Sequence, residues 1–284
     1  MATRRAALMQ AAAPAPAPPP PPAAAAAAPG AGQAVRLVIG ANGAVNTAGG
    51  PVYRDIARAL TRRLSQGAWK PGEAIPSEAQ LKAEFGVAIG TIRKAVDELV
   101  AQNMLVRQQG RGTFVATHDR ARLLFHFFHV ERQDGHKEYP DVQLHAFERT
   151  TLNREAAAKL GLHEGERALR FRNTLALEGR RIMLDDITLP ETLFPRLTEK
   201  KLRERPGTLY TLYQDDYRIS VVRTAQRLSA GLAPRDVARA LELPTGQPVL
   251  VIRRVAFAYH DKPVEYRVSY VDTRHHDYVG DTLR

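Results

Sequence analysis

The chain of 284 residues has room for about two ordinary domains, and its 44% hydrophobic content suits folded globular structure over most of its length. The formal charge of +11 favours polyanionic partners, but the excess is spread along the chain, so local geometry has to carry any argument for nucleic acid. The absence of cysteine excludes a disulfide framework, a thiolate nucleophile and a cysteine-ligated metal, and no run of about 18 apolar residues exists to span a membrane.

Residues 11–32, AAAPAPAPPPPPAAAAAAPGAG, are low-complexity Ala/Pro. They cannot bury a core, and proline biases them toward extended polyproline II conformations. With the linker-like ANGAVNTAGG that follows a short apolar run, they make residues 1–50 a disordered tail. The first residues place two arginines before an alanine patch, yet proline cuts that patch too short for the apolar core of an export signal. A cytoplasmic protein is expected.

Order begins at Pro51. In PVYRDIARALTRRLSQG the residues Val52, Ile56, Ala59, Leu60 and Leu64 form an apolar stripe at helical spacing, with Pro51 suited to a helix start and Gly67 to its end. A Pro-Gly turn follows, and then Ser77 with Gln80 three residues on, the spacing of a capping box, which predicts a short helix over about 78–84. Gly86 permits a tight turn. A third helix runs to about Gln102, with Ile92, Val96 and Leu99 on one side and Arg93 and Lys94 on the other. MLVRQQGRGTFVA reads as two short strands about a Gly-Arg-Gly turn. Three helices and a hairpin are the plan of a winged helix-turn-helix.

From about Ala121 the pattern changes to strands separated by single helices. RLLFHFFHV and VQLHAFERTTL read as strands and NREAAAKLGL as a capped helix ending at Gly161. RALRFRNTLALEGRRIMLDDITLP forms a hairpin turning at Glu178-Gly179, GTLYTLYQDDY a helix, and RISVVRTAQRLSAG a strand. APRDVARALEL is a helix, and PVLVIRRVAFAYHDKPVEYRVSYVDT a second hairpin turning at 260–262. Hairpins imply antiparallel pairing, with the Ala/Arg-rich helices covering one sheet face. The two helix–hairpin segments share one plan, which suggests a pseudo-twofold unit with a ligand cleft between its halves.

These motifs carry a resemblance. Residues 51–116 resemble the DNA-binding domain of the GntR family of bacterial transcription regulators, through PVYRDI, GAWKPGEAIPSEAQLKAEFGV and TIRKAVDELVAQNMLVRQQGRGTFV. Residues from about 121 to 279 resemble the UTRA domain of the HutC subfamily, through LGL..GE, LP, GTLY and KPVEYRVSYV. The resemblance implies an α+β chain in which a winged helix-turn-helix over 51–117 is joined by a linker at 118–122 to an antiparallel-sheet, chorismate-lyase-like UTRA domain over 123–280. It implies a homodimeric repressor of a catabolic or transport operon. A small-molecule effector, here expected to be acidic, would release it from a palindromic operator.

The third helix fits a major groove and offers base edges to residues near its N-terminus. Arg93, opposite the apolar stripe, can pair bidentately with guanine, and its position matches the family's recognition arginine. Thr91 and Lys94 suit phosphate contacts, and Ser77 can cap its helix while leaving backbone N–H groups for a phosphate. In the wing, Gly110 and Gly112 let the backbone approach DNA, and Arg111 suits the minor groove or a phosphate. The chain departs from the family at Ala88-Ile89, where a Ser-Arg pair is common, and at Ala79. Losing the serine cap costs about 1 kcal/mol, and Gly90 costs about another relative to alanine. Ile89 can offer an apolar contact to a thymine methyl. DNA binding altered in sequence preference is expected.

In the second domain Arg170 and Arg172 lie two apart in a strand and face one way, where an arginine pair needs an anion. Family members commonly hold an acidic effector group so. Asp185 stands where relatives often carry Glu, and Glu265 matches an acidic position of the pocket; Ser269 and Tyr270 are further candidates, although adjacent strand residues face opposite ways. No cofactor or metal is expected: His126/His129 and His275-His276-Asp277 lack ligand spacing, and no nucleophile elbow, phosphate loop or dinucleotide fingerprint occurs. Two rival readings remain, an enzyme domain similar to chorismate lyase and a DNA-binding protein without an effector.

Overall fold

The computed structural model describes residues 51–118 and 127–280. The tail over 1–50, most of the linker, His126 and residues 122–126 of the expected first strand lie outside them. Helix α1 (Val52–Ser65) follows Pro51, carries Asp55 in its first turn and Arg62 and Arg63 in its last, and buries Ile56, Ala57, Leu60 and Leu64. Those charges complement the helix dipole at both ends. Helix α2 (Glu78–Phe85) has the expected capping box between Ser77 and Gln80 and ends at Gly86, whose φ of 65° only glycine adopts at little cost. Helix α3 (Ile89–Ala101) turns Ile92, Ala95, Val96 and Leu99 into the core and, as Ala88 dictates, has no side-chain cap. Strands β1 (Leu105–Gln108) and β2 (Gly112–Val115) pair antiparallel, and Ala74 bridges to Phe114 from outside. This is the expected winged helix, its core closed by Ile75, Leu81, Phe85, Met104 and Val115.

The rest of the described chain is an antiparallel sheet with helices on both faces. Strand β3 (Val130–Arg132) is short, and Phe127 to His129, expected as strand, are not extended into it. Next come β4 (Asp141–Thr151), α4 (Arg154–Leu160), β5 (Arg167–Leu177), β6 (Arg180–Pro190), α5 (Glu199–Glu204) and α6 (Leu209–Tyr217). They are followed by β7 (Arg223–Leu232), α7 (Arg235–Leu241), β8 (Pro248–Phe257), β9 (Pro263–Val271) and β10 (His276–Tyr278), which pairs with β3. Both hairpins turn where expected. The sheet order β4-β5-β6-β9-β8-β7 reads outward from its centre as two copies of strand–helix–hairpin, the architecture that the repeated sequence plan suggests.

The Ala/Arg-rich helices α4 and α7 cover one sheet face, as expected, against Ala168, Leu184, Val251 and Val255. The opposite face is covered too, by α5, α6 and the segment around Phe194 and Leu197, against Leu169, Phe171, Ile187 and Leu189. The central strands are therefore buried on both sides, and polar residues facing either way need partners inside the protein. Among the described residues no helix is long and apolar enough to cross a membrane.

Candidate nucleic-acid interface and ligand cavity

The apolar stripe of α3 faces the core and leaves Arg93 and Lys94 exposed. Arg93 is 58% exposed by its side chain, and its Nε donates to Glu78 Oε2 at 3.2 Å. Glu78 also accepts from Arg107 at 3.1 Å, and Arg107 reaches Asp97 at 2.7 Å. This exposed lattice spans α2, α3 and β1. Lys94 is exposed beside Arg93, and Thr91 is half-buried. Ser77, Gly110, Arg111 and Gly112 line one groove between the start of α2 and the wing, together with Glu78 and Arg107. Four of the seven residues expected at DNA thus share one groove, Arg93 is tied to it through Glu78, and Arg107, which sequence reasoning missed, joins them.

The glycines need separate reasons. Gly110 (φ 72°) and Gly112 (φ 117°) hold backbone conformations that side chains resist, so the turn itself requires them, whatever approaches it. Gly90 has ordinary helical geometry and open space where a Cβ would stand. Gly90→Ala is therefore expected to stabilise the helix by about 1 kcal/mol and raise the thermal midpoint by about 2–4 °C. A lower midpoint would contradict this geometry. Ile89 next to it is 43% exposed, an apolar side chain at the leading edge of the helix with little to cover it.

The six residues expected at an effector do not meet, because strand neighbours alternate between faces. Arg170, Arg172 and Tyr270 lie on the face of α4 and α7. There Arg170 donates to Asp186 through Nε at 2.7 Å and Nη2 at 2.5 Å, and Arg172 donates to Asp186 at 2.9 Å and to Asp236 at 2.7 Å. The Asp186 hydrogen bonds hold the Arg170 pKa above its usual value; burial lowers that of Arg172, but Asp236 and Asp186 more than reverse it. The anion that this pair needs is supplied by the protein. Arg170→Ala with Arg172→Ala is accordingly expected to leave any ligand response unchanged, measured as the shift in thermal midpoint on ligand addition.

Asp185, Glu265 and Ser269 occupy the other face and are buried. Ser269 donates to Asp185 at 2.5 Å, and Arg267 bridges the two carboxylates, reaching Asp185 at 2.8 Å and Glu265 at 2.9 Å. Burial would lower the Arg267 pKa, but Glu265 and Asp185 hold it well above the usual value. Tyr210 and Tyr213 of α6 donate to Glu265 at 3.3 and 2.8 Å. Burial and then Glu265 push the Tyr210 phenol up to about 12 and that of Tyr213 well above its usual value, so both stay protonated donors. A narrow cavity of about 50 Å³ opens beside this network, lined among others by Asn173, Arg205, Tyr210, Arg254 and Arg267.

Three polar atoms there have no hydrogen-bond partner. Nε of Arg254, Nε of Arg205 and Oδ1 of Asn173 are buried without a hydrogen bond, and burial pulls the Arg205 pKa below its usual value. Three guanidiniums against two carboxylates leave the region positive. Sequence reasoning missed Arg205, Arg254 and Arg267, although alternation along VEYRVSY already grouped Arg267 with Glu265 and Ser269. Arg205 carried no such signal. Among the described residues no cluster of potential metal ligands occurs.

The family model described as bacterial regulatory proteins, gntR family, matches residues 52–115, and that of the UTRA domain matches residues 135–277. The chain is 26% identical over 219 residues to a protein of Escherichia coli (strain K12) described as a fructoselysine utilization operon transcriptional repressor, covering 75% of this chain and 87% of the relative. It is 26% identical over 231 residues to the histidine utilization repressor of Pseudomonas putida, covering 79% and 90%. The ligand-binding domain of a protein from Bordetella bronchiseptica, described as a GntR-family transcriptional regulator, aligns with a TM-score of 0.53 and 26% identity, over 56% of this chain and 99% of that one.

Proposed function

The chain belongs to the gntR family of bacterial regulatory proteins, in the HutC group that carries a UTRA domain, and from that premise we propose that it is a cytoplasmic, ligand-responsive repressor of a catabolic or transport operon. It binds a palindromic operator as a homodimer, and an acidic small molecule releases it. The observation that carries this reading is the conjunction, in one chain, of an exposed reading helix with a buried cavity lined by Arg205 and Arg254, each of which holds one buried nitrogen without a hydrogen bond. Arg93 reads a guanine, Ile89 packs on a thymine methyl, and Thr91, Lys94, Ser77 and Arg111 hold phosphates. Arg205 and Arg254 take the effector's anionic group, while Asp185, Glu265 and Ser269 set the shape and polarity around it.

The chain is a regulator and not an enzyme: the relatives named above are repressors, and the arginine pair on which a lyase-like site would rest is consumed by Asp186 and Asp236. The test is selection of duplexes from a random-sequence library by the full chain, followed by titration of the complex with sugar phosphates and small carboxylates. Recovery of inverted repeats, and weaker binding with at least one compound, is expected. Tighter binding across the whole panel would sink the release mechanism, and recovery of no preferred sequence would sink the reading of DNA.

A further inference from the structure

Helix α6 carries two rows of side chains that end in different places. Tyr210 and Tyr213, three residues apart, both end on Glu265, and Tyr210 lines the cavity. Thr208, Thr211 and Gln214, again at spacings of three, point to the backbone that leaves the wing. The hydroxyls of Thr208, at 3.1 Å, and Thr211 donate to the carbonyl of His118. Gln214 accepts from the His118 N–H at 3.3 Å and donates to the Ala116 carbonyl at 3.2 Å, so its carboxamide grips the chain on both sides of Thr117 much as a neighbouring strand would. A further bond at 3.0 Å from Gln214 to Ser220 fixes the amide.

The gripped segment is continuous with the head. Ala116 follows β2 directly, and its N–H donates to Met104 at the start of the wing at 3.0 Å. Val222, shortly beyond α6, packs into the core of the winged helix. The ring of His118 meets Tyr210 edge-on at 6.0 Å, so His118 is in contact with both rows of α6. A cavity of about 50 Å³ is small for a metabolite, since sites for small molecules run to roughly 300–1,000 Å³. Occupancy therefore requires a wall to move, and Tyr210 is a wall carried on α6. A ligand shifts an equilibrium only through its differential affinity for two arrangements. An arrangement of α6 with Tyr210 withdrawn is one that a ligand would favour.

We propose that α6 is the element through which occupancy of the cavity reaches the DNA-binding head, with Gln214 the positioning residue that ties helix to wing. This rests on the regulatory reading above. Displacing Tyr210 and Tyr213 from Glu265 shifts α6, the Gln214 grip on Ala116 and His118 shifts with it, and the wing loses its fixed place beside α3.

The test needs no identified effector, because Glu265→Gln perturbs the cavity end of α6 in the ligand's stead. Affinity for duplexes selected by the full-length protein is measured for wild type, Glu265→Gln, Gln214→Ala and the double variant. The expected result is a change of about fivefold or more on Glu265→Gln in the wild-type background, and a much smaller change when Gln214 is already alanine. Equal changes in both backgrounds, or none in either, overturn the proposal. Hydrogen exchange without DNA gives the second readout: amides of residues 112–118 exchange faster in Gln214→Ala and in Glu265→Gln, and unaltered exchange in both overturns the link. If wild type selects no duplex, the DNA reading fails by itself while the exchange experiment still decides the coupling. Should Glu265→Gln not fold, Tyr213→Phe takes its place.

Discussion

Arg93→Ala is expected to remove sequence preference in DNA binding while leaving the fold intact. The side chain is 58% exposed, and its ion pair with Glu78 lies at the surface, where such pairs contribute about 0–1 kcal/mol. A bidentate arginine–guanine contact is worth about 1–3 kcal/mol of discrimination, roughly 5- to 150-fold per reading helix, and a dimer with two helices on one operator compounds it. Binding through phosphates survives, because Lys94, Arg107 and Arg111 remain, and it weakens steeply with salt. Fluorescence anisotropy on a selected duplex and a scrambled one, at two salt concentrations, separates these effects. If the variant still prefers the selected duplex as strongly as wild type, Arg93 is not the reader.

Arg267→Ala carries the largest expected cost in stability. It leaves Asp185 and Glu265, buried at 1% and 0% exposure, without the cation between them. Removing one partner of a buried ionic cluster costs about 3–5 kcal/mol, whereas replacing all its members by uncharged groups of similar size is far cheaper. The triple variant Asp185→Asn, Glu265→Gln, Arg267→Met should therefore be more stable than Arg267→Ala. Urea unfolding followed by circular dichroism measures both. A loss below about 1 kcal/mol for Arg267→Ala would mean that water already reaches the carboxylates and that the network is not buried in solution.

The head was legible almost residue by residue. Its elements are local: a capping box between Ser77 and Gln80, a left-handed turn at Gly86 and an apolar stripe ending at Leu99 each state their own structure within a few residues. The second domain was legible as strands, hairpins and three helices, and the repeated strand–helix–hairpin plan was already visible as two similar stretches of sequence. Helix α5, of six residues with the single buried Leu202, is too short for periodicity to show. The candidate site was less legible. Alternation correctly says that Arg170 and Arg172 share a face, but not which face holds a cavity, since both are covered by helices.

What the sequence determined by itself is what depends on near neighbours: a winged helix with Arg93 on its open side, and an antiparallel sheet built from two like halves. Tertiary structure decided what depends on which distant segments meet. It spent Arg170 and Arg172 on Asp186 and Asp236, set Arg267 between Asp185 and Glu265, left Arg205 and Arg254 with unpaired nitrogens, and laid Gln214 against the wing's exit. The reason is physical. A charge's role is set by the counter-charge and the water that remain within a few ångströms of it, and those are fixed only when strands far apart in the chain have packed.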